Sequence, residues 1–308
     1  NKRHYCNFKS YLMVFEMNYD VAIIGGSYAG LAAGLPLGRA RRKVVIIDAG
    51  QRRNRFADHS HGFLTQDGTL ASEIVQIAKQ QLLQYPTVDW IDGQVKRLEK
   101  KDDLFHICID GTQAVSAKRI IIATGVQDQL PEIKGLEERW GKSIFHCPYC
   151  HGYELNQGKI GLIASSEHSA HMAMLLPEWG SVTYFLNGQP LAAEVEAQLI
   201  ERNVVIEKRP VAEIIEHSTV VLSDQNHITF EGIFVTTQCV ISQDWIHKLA
   251  CELEHNPMGQ MIKTNALKET SISGVFACGD VARLGGSVSL AVGDGTMAGV
   301  AAHRSLVF

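Results

Sequence analysis

One stretch limits the chain to a narrow set of folds. Tyr19-Asp20-Val21-Ala22-Ile23-Ile24 is a short apolar run, which reads as a buried strand. It breaks at Gly25-Gly26-Ser27-Tyr28-Ala29-Gly30, and Leu31–Arg42 then reads as a helix with a basic end, as the helix dipole favours. Lys43–Ile47 is a second strand, closed by Asp48. Strand, glycine turn, helix, strand and terminal acid make a βαβ unit of about 30 residues, the dinucleotide-binding pattern. Glycines let the backbone approach a pyrophosphate, and the helix start offers it free N–H groups and partial positive charge. Asp48 is placed to accept from ribose hydroxyls. Ser27 replaces the middle glycine, and Pro36 interrupts the helix at the loss of one hydrogen bond, which predicts a kink there.

The same alternation of strand and helix returns further on. Ala71–Leu83 has helical spacing, and Val88–Ile109 alternates like a β-meander. Ile120-Ile121-Ile122 is another buried strand, ending in Ala123-Thr124-Gly125, residues small enough for a cofactor to lie against the backbone. A second βαβ candidate runs from Ile160–Ile163 through helix Ala170–Leu176 to strand Ser181–Leu186, but its turn, Ala164–Ser169, has no glycine. Gly274–Asp280 is a strand closing in a Gly-Asp turn, and Ser289–Leu306 is a final helix of small residues that must face a close neighbour. Between the units, Gln51–Arg55 is a cationic loop, either solvated or in contact with a cofactor phosphate. His59-Ser60-His61 lacks a carboxylate cluster, so no metal is expected there.

The chemistry centres on Cys147-Pro148-Tyr149-Cys150-His151. Seven scattered cysteines do not make a secreted disulfide framework, and a lone Cys-x-x-Cys in a reducing compartment is catalytic or metal-binding. Haem attachment through Cys-x-x-Cys-His needs export, for which no signal is visible, and zinc needs a second ligand pair. A redox dithiol remains. A disulfide is opened by a thiolate or a reduced flavin. The pair is expected near a helix start, and His151 is the candidate acid/base, with His146 in reserve, because an ordinary imidazole titrates near neutrality.

Composition excludes rather than selects. With 308 residues, a net charge of −4 and no basic block, nucleic acid and anionic membranes are poor partners. No apolar run approaches the ~20 residues of a membrane span, and a cytoplasmic protein is expected. Residues 1–16 show no clear period and are expected to be a dispensable extension.

Four ordered motifs, Gly25–Gly30, Ala123-Thr124-Gly125, Cys147–Cys150 and Gly274–Asp280, resemble those of the low-molecular-weight thioredoxin reductases from about Met17 onward. That resemblance implies an α/β fold of two Rossmann-like three-layer nucleotide-binding domains, the second inserted in the first. An FAD domain (17–126 and 242–308) would enclose a degenerate NAD(P)-like domain (127–241) carrying the Cys pair. It assigns Gly25, Gly26, Ser27, Ala29, Gly30, Asp48, Ala123, Thr124, Gly125, Gly279 and Asp280 to FAD contact. Cys150 falls on the flavin-facing position and Cys147 on the one that exchanges with substrate. A thioredoxin-like protein or small disulfide is the implied partner, and a homodimer the implied assembly. Two departures matter. No lysine or arginine follows Phe185-Leu186 to hold a 2′-phosphate, and His151 stands where typical reductases have an acid. The chain is therefore similar to the branch without NADPH use. Ferredoxin or a second FAD is then the donor, or the enzyme is a dithiol oxidase passing electrons to oxygen, or a flavin-binding redox sensor.

Overall fold

The structure, a computed structural model, describes residues 17–110, 113–166 and 168–308, so the expectation for residues 1–16 lies outside the described residues. The chain divides into two compact units: the described residues up to Arg53 with Leu70–Gln127 and Val240–Phe308, and Asn54–Thr69 with Asp128–Cys239.

The first unit opens with β1 (Met17–Ile24), α1 (Tyr28–Arg39) and β2 (Val44–Asp48), followed by α2 (Ala71–Leu82), β3 (Val88–Asp92), β4 (Val95–Lys101), β5 (Leu104–Ile109) and β6 (Gln113–Ile122). These strands form one sheet in the order β3-β2-β1-β6-β5-β4. Strands β3, β2, β1 and β6 run parallel, in register Val21↔Val44 and Ile23↔Ile121. Val21, Ile23, Ile46 and Ile121 are wholly buried, the reason these strands read as unbroken apolar runs rather than alternating ones. The predicted meander over Val88–Ile109 is half right. Only β4, β5 and β6 pair antiparallel, while β3 is the parallel neighbour of β2. Its Val88 packs in the core beneath α1, a tertiary preference that the local alternation does not carry.

The second unit contains β7 (Ile144–Phe145), α3 (Pro148–His151), β8 (Lys159–Ile163), α4 (Ser169–Leu175), β9 (Ser181–Phe185), α5 (Ala193–Glu201) and β10 (Val205–Glu207). It then makes β11 (Val211–Ile215), β12 (Thr219–Leu222), β13 (His227–Thr229) and β14 (Gly232–Val235). Five of these strands form a parallel sheet, β7-β14-β8-β9-β10, and β11-β12-β13 is a separate antiparallel meander. The Cys pair directly follows β7, so it leaves the carboxyl end of an edge strand. In open α/β sheets that end is where ligands bind.

Back in the first unit, α6 (Asp244–Leu249) and the antiparallel hairpin β15 (Leu253–Asn256) and β16 (Gly259–Ile262) lead to β17 (Val275–Ala277) and α7 (Val288–Arg304). Strand β17 extends the parallel sheet beside β6, register Phe276↔Ile121. Ser287 caps α7 by accepting from the Leu290 N–H at 3.2 Å, and His303 and Arg304 suit its C-terminal end. The close neighbour demanded by its small residues is α1. A Cβ on Gly295 would stand 2.1 Å from the Ala29 carbonyl oxygen, and one on Gly299 2.3 Å from that of Ala33. The Pro36 ring also lies against Gly299, which gives the helix-interrupting proline a packing role.

Candidate functional site

The first centre is the turn between β1 and α1. Gly25 has φ +109°, and a Cβ there would sit 2.2 Å from the Ala123 carbonyl oxygen, so only glycine lets this turn lie on the chain leaving β6. Gly30, in the first turn of α1, is pressed against the Gly25 carbonyl. Gly26 donates its N–H to Asp48 Oδ1 at 3.0 Å, tying the turn to the end of β2. Ser27 takes the N-cap in extended backbone (φ −95°), and its hydroxyl makes no capping bond. The Ser27 side chain therefore caps none of the first-turn N–H groups of α1, which have no intrahelical acceptors. Ala29 meets Gly279, whose φ is +72°, at the opening of the turn after β17. Gly125 borders open space, with nothing within 4 Å of where its Cβ would stand. The structure thus gathers Gly25, Gly26, Ser27, Ala29, Gly30, Asp48, Ala123 and Gly279 around the start of α1. A helix start without a side-chain cap, glycine walls and an acid with lone pairs to spare fit the pyrophosphate and ribose of FAD.

The sequence singles out Asp280 and the cationic loop Gln51–Arg55 but not how the charges around this cradle pair. Asp280 pairs with Arg53 at 2.8 Å, so the cationic loop has a protein partner. Asp294, on α7, is 4% exposed and is held by Arg283 through two bonds of 2.9 Å and by Lys268 at 2.8 Å. Burial alone would raise the Asp294 pKa, but hydrogen bonds and charge from Arg283 and Lys268 outweigh it and hold the carboxyl below its usual range. A lone acid among the alanines and glycines of α7 was the available signal. Cys278, between β17 and the Gly-Asp turn, is fully buried, and its thiol is pushed up to about 12, first by burial and then by Asp294. It is a packing residue.

The second centre is the Cys pair. Cys147 and Cys150 are joined as a disulfide with Cα atoms 5.4 Å apart. Cys147 is the N-cap of α3, and Pro148 opens that helix with its fixed φ and missing N–H, neither of which costs anything there. The helix start expected for the pair is present, though a helix of four residues has little dipole with which to lower a thiol pKa. His151 stacks on Phe145, centroids 4.3 Å apart and rings 19° from parallel. Burial, followed by the charges of His146 and His61, pulls its pKa down to about 4. The sequence predicts an imidazole of ordinary basicity; the one found is a weaker base, neutral at neutral pH. His146 stacks on Trp140 at 5.6 Å. Tyr149, between the sulfurs, is 73% exposed and meets Trp179 edge-on. Among the described residues, no group of three or more His, Cys, Asp or Glu is arranged to hold a metal ion.

The turn after β8 has the position of a nucleotide turn and a different interior. Ser169 begins α4 and is wholly buried. Its hydroxyl accepts the N–H groups of Ser165 and Ser166 at 3.1 and 3.3 Å. The Ser165 and Ser169 hydroxyls each lie 2.6 Å from Thr236 Oγ1. Past the next strand, Asn187 accepts the Val211 N–H at 3.1 Å. Arg209, two residues beyond the partner of Phe185, is bound by Glu207 and Asp224 at 2.6 and 2.7 Å.

Two nucleotide-type sheets, a glycine cradle and a Cys-x-x-Cys disulfide define a flavin-linked disulfide oxidoreductase as the class. The family model for pyridine nucleotide-disulphide oxidoreductases matches residues 19–295, and the chain belongs to that family, as a thioredoxin reductase-like flavoprotein enzyme. The crystal structure of an oxidoreductase from Agrobacterium tumefaciens is 53% identical with a TM-score of 0.93, covering 95% of this chain and 99% of that one. A thioredoxin reductase, sirT, of Leptosphaeria maculans is 30% identical over 91% of this chain and 92% of its own. A putative thioredoxin reductase, TrxB, from Bacillus anthracis is 29% identical with a TM-score of 0.88, covering 94% and 98%. Among the described residues, no helix is long and apolar enough to cross a membrane.

Proposed function

We propose that this chain is an FAD-dependent thiol–disulfide oxidoreductase that reduces a thioredoxin-type protein disulfide through Cys147 and Cys150, with a donor other than a nicotinamide nucleotide. The observation that carries the second half is Ser169. Its hydroxyl takes the N–H groups of Ser165 and Ser166, which a glycine-rich turn would offer to a pyrophosphate. Arg209, the cation following the next strand of the sheet, is already neutralised by two acids. Ferredoxin or a second bound flavin fits a nucleotide fold closed in this way.

FAD, when bound, supplies the two-electron couple that joins such a donor to a disulfide. Gly25, Gly26, Ser27, Ala29 and Gly30 would hold its pyrophosphate and Asp48 its ribose, with Ala123, Thr124, Gly125, Gly279 and Asp280 completing the contact. The family resemblance assigns Cys150 to the flavin-facing position and Cys147 to the one that meets substrate. As a thiolate, Cys147 attacks one sulfur of the substrate disulfide; that S–S bond breaks and the other substrate sulfur leaves as a thiolate. His151 is the candidate acid/base for the Cys150 proton, although burial makes it a weaker base than a free imidazole. Cys150 then attacks the mixed disulfide, re-forming the Cys147–Cys150 bond and releasing the second substrate thiolate. Both thiolates are protonated, so one disulfide is closed for each one opened. The family resemblance adds a homodimer to the proposal.

Anaerobic photoreduction of the flavin provides the test. Oxidised thioredoxin should reoxidise the flavin in the native enzyme, and Cys147→Ser should abolish this. Peroxide release on adding small dithiols would assign a dithiol oxidase instead, and inertness to both a sensor. Rapid bleaching of the oxidised flavin by micromolar NADPH would refute the assignment of the donor.

A further inference from the structure

Arg53 and Asp280 stand 227 residues apart in the chain and meet within the first unit. Arg53 opens the 3-10 helix Arg53–Phe56, shortly after β2 ends at Asp48. Asp280 lies on the 3-10 turn Gly279–Ala282, whose first residue meets Ala29 at the start of α1. Arg53 Nη1 donates to Asp280 Oδ2 at 2.8 Å, and each side chain is 20% exposed. The other carboxylate oxygen is confined too. A Cβ on Gly286 would stand 1.9 Å from Asp280 Oδ1, so a residue without one leaves the carboxylate its place. A guanidinium on one oxygen and bare backbone beside the other fix this acid next to the glycine cradle.

We propose that Arg53 is a positioning residue of the FAD site and acts through Asp280. This rests on the reading of the turn between β1 and α1 as that site. An ionised carboxylate only accepts hydrogen bonds, so Asp280 can serve FAD at a hydroxyl or a ring N–H and not at a phosphate. It also brings negative charge to a cradle shaped for an anion. A carboxylate free to rotate would face the pyrophosphate as readily as a donor. Arg53 removes both difficulties. Its permanent charge offsets the acid, and its hydrogen bond holds one oxygen while the lone pairs of the other stay available to the cofactor. The sequence leaves the cationic loop between solvent and a cofactor phosphate; on this assignment its Arg53 orders the acid that meets FAD and does not touch the phosphate itself. No covalent bond is made or broken.

The test is release of FAD from the purified holoenzyme on dilution, read as the rise of free-flavin fluorescence; it needs no donor or substrate. Arg53→Gln should release FAD roughly tenfold faster, the loss expected for one hydrogen bond to a charged group. Arg53→Lys keeps a charge and a donor and should recover most of that loss. In an Asp280→Ala background, adding Arg53→Gln should change the rate by less than about twofold, because the residue through which Arg53 acts is gone. Gly286→Ala displaces the carboxylate without removing a charge, so it too should release FAD faster, and it decides the matter if Arg53→Gln does not fold. A native rate in Arg53→Gln or in Gly286→Ala overturns the proposal, as do equal rates in Arg53→Gln and Arg53→Lys. So does a loss that persists undiminished in the Asp280→Ala background, which would put Arg53 directly on the cofactor. Failure of the FAD reading is a different result: the native protein itself would carry no flavin to release.

Discussion

Replacing Gly295 by alanine tests whether the contact of α1 with α7 holds the cofactor cradle. The added Cβ would stand 2.1 Å from the Ala29 oxygen, 2.9 Å from its carbonyl carbon and 3.0 Å from its Cα. An ordinary carbon–oxygen contact needs roughly 1 Å more, and the obstacle is backbone, which cannot swing aside as a side chain can. Overpacking of this kind costs about 3 kcal/mol at the upper end of its usual range. Alanine returns about 1 kcal/mol of helix propensity, leaving a net loss of about 2 kcal/mol. Gly293 supplies the control on the same helix: nothing lies within 4 Å of its Cβ position, so Gly293→Ala should stabilise by about 0.5–1 kcal/mol. Ala29 also abuts Gly279, and Gly30 abuts Gly25, so separating the helices opens the glycine turn proposed to hold FAD. Denaturant melts of both variants at one protein concentration, with flavin release measured on dilution, give the comparison. Gly295→Ala should melt earlier and lose flavin faster, and Gly293→Ala should do neither. If the two variants prove equally stable and retain flavin alike, the close approach of α7 is not what shapes the cradle.

Three further outcomes are expected. Asp294→Asn leaves half-buried Lys268 and Arg283, the latter 34% exposed, facing a neutral partner and should cost about 1–3 kcal/mol by denaturant melting; in the native protein the stability due to the depressed Asp294 is present above the unfolded carboxyl value of about 3.9 and lost as pH falls below it. His151 is depressed to about 4, so below the unfolded value of about 6.5 the unfolded chain binds the extra proton; stability should fall from pH ~6.5 to ~4 and level off below, and melts of His151→Gln should lack that slope. Iodoacetamide applied to the reduced native enzyme at neutral pH should label Cys147 and spare Cys278, whose buried thiol is pushed up to about 12; mass spectrometry of the digest would show a labelled Cys278 if its environment is more open than described.

What the sequence made legible follows from the range of each signal. Strands β1 and β6 and helix α1 are announced by local runs, because a parallel strand buried on both faces has no polar side to disguise it. The glycines at 25 and 30 are equally plain, since each removes a Cβ that the adjoining backbone forbids. The parallel place of β3 was not legible: Val88–Asp92 alternates like an antiparallel strand, and only pairing with β2 says otherwise. Nor was the Asp294 cluster, whose members stand at 268, 283 and 294 and meet only when β17 and α7 close on the sheet.

The degenerate turn shows most clearly what spacing alone leaves out. Missing glycines at Ala164–Ser169 say that a pyrophosphate is poorly served, but they do not say where the turn's N–H groups go. Buried N–H groups need acceptors, so a nucleotide turn that loses its ligand must find replacements or unfold. Here Ser169 is the replacement and Thr236, at the end of β14, secures it from another strand. A turn merely stripped of glycine could still admit a nucleotide loosely, whereas one whose donors are satisfied from within must break those bonds to do so. At about 1 kcal/mol for each hydrogen bond, breaking both N–H bonds to Ser169 would weaken nucleotide binding by roughly 30-fold before any lost phosphate contact is counted. The same logic applies to two features of the second unit: the Ser165 and Ser166 N–H groups are satisfied by Ser169, and burial against Phe145 keeps His151 neutral at neutral pH.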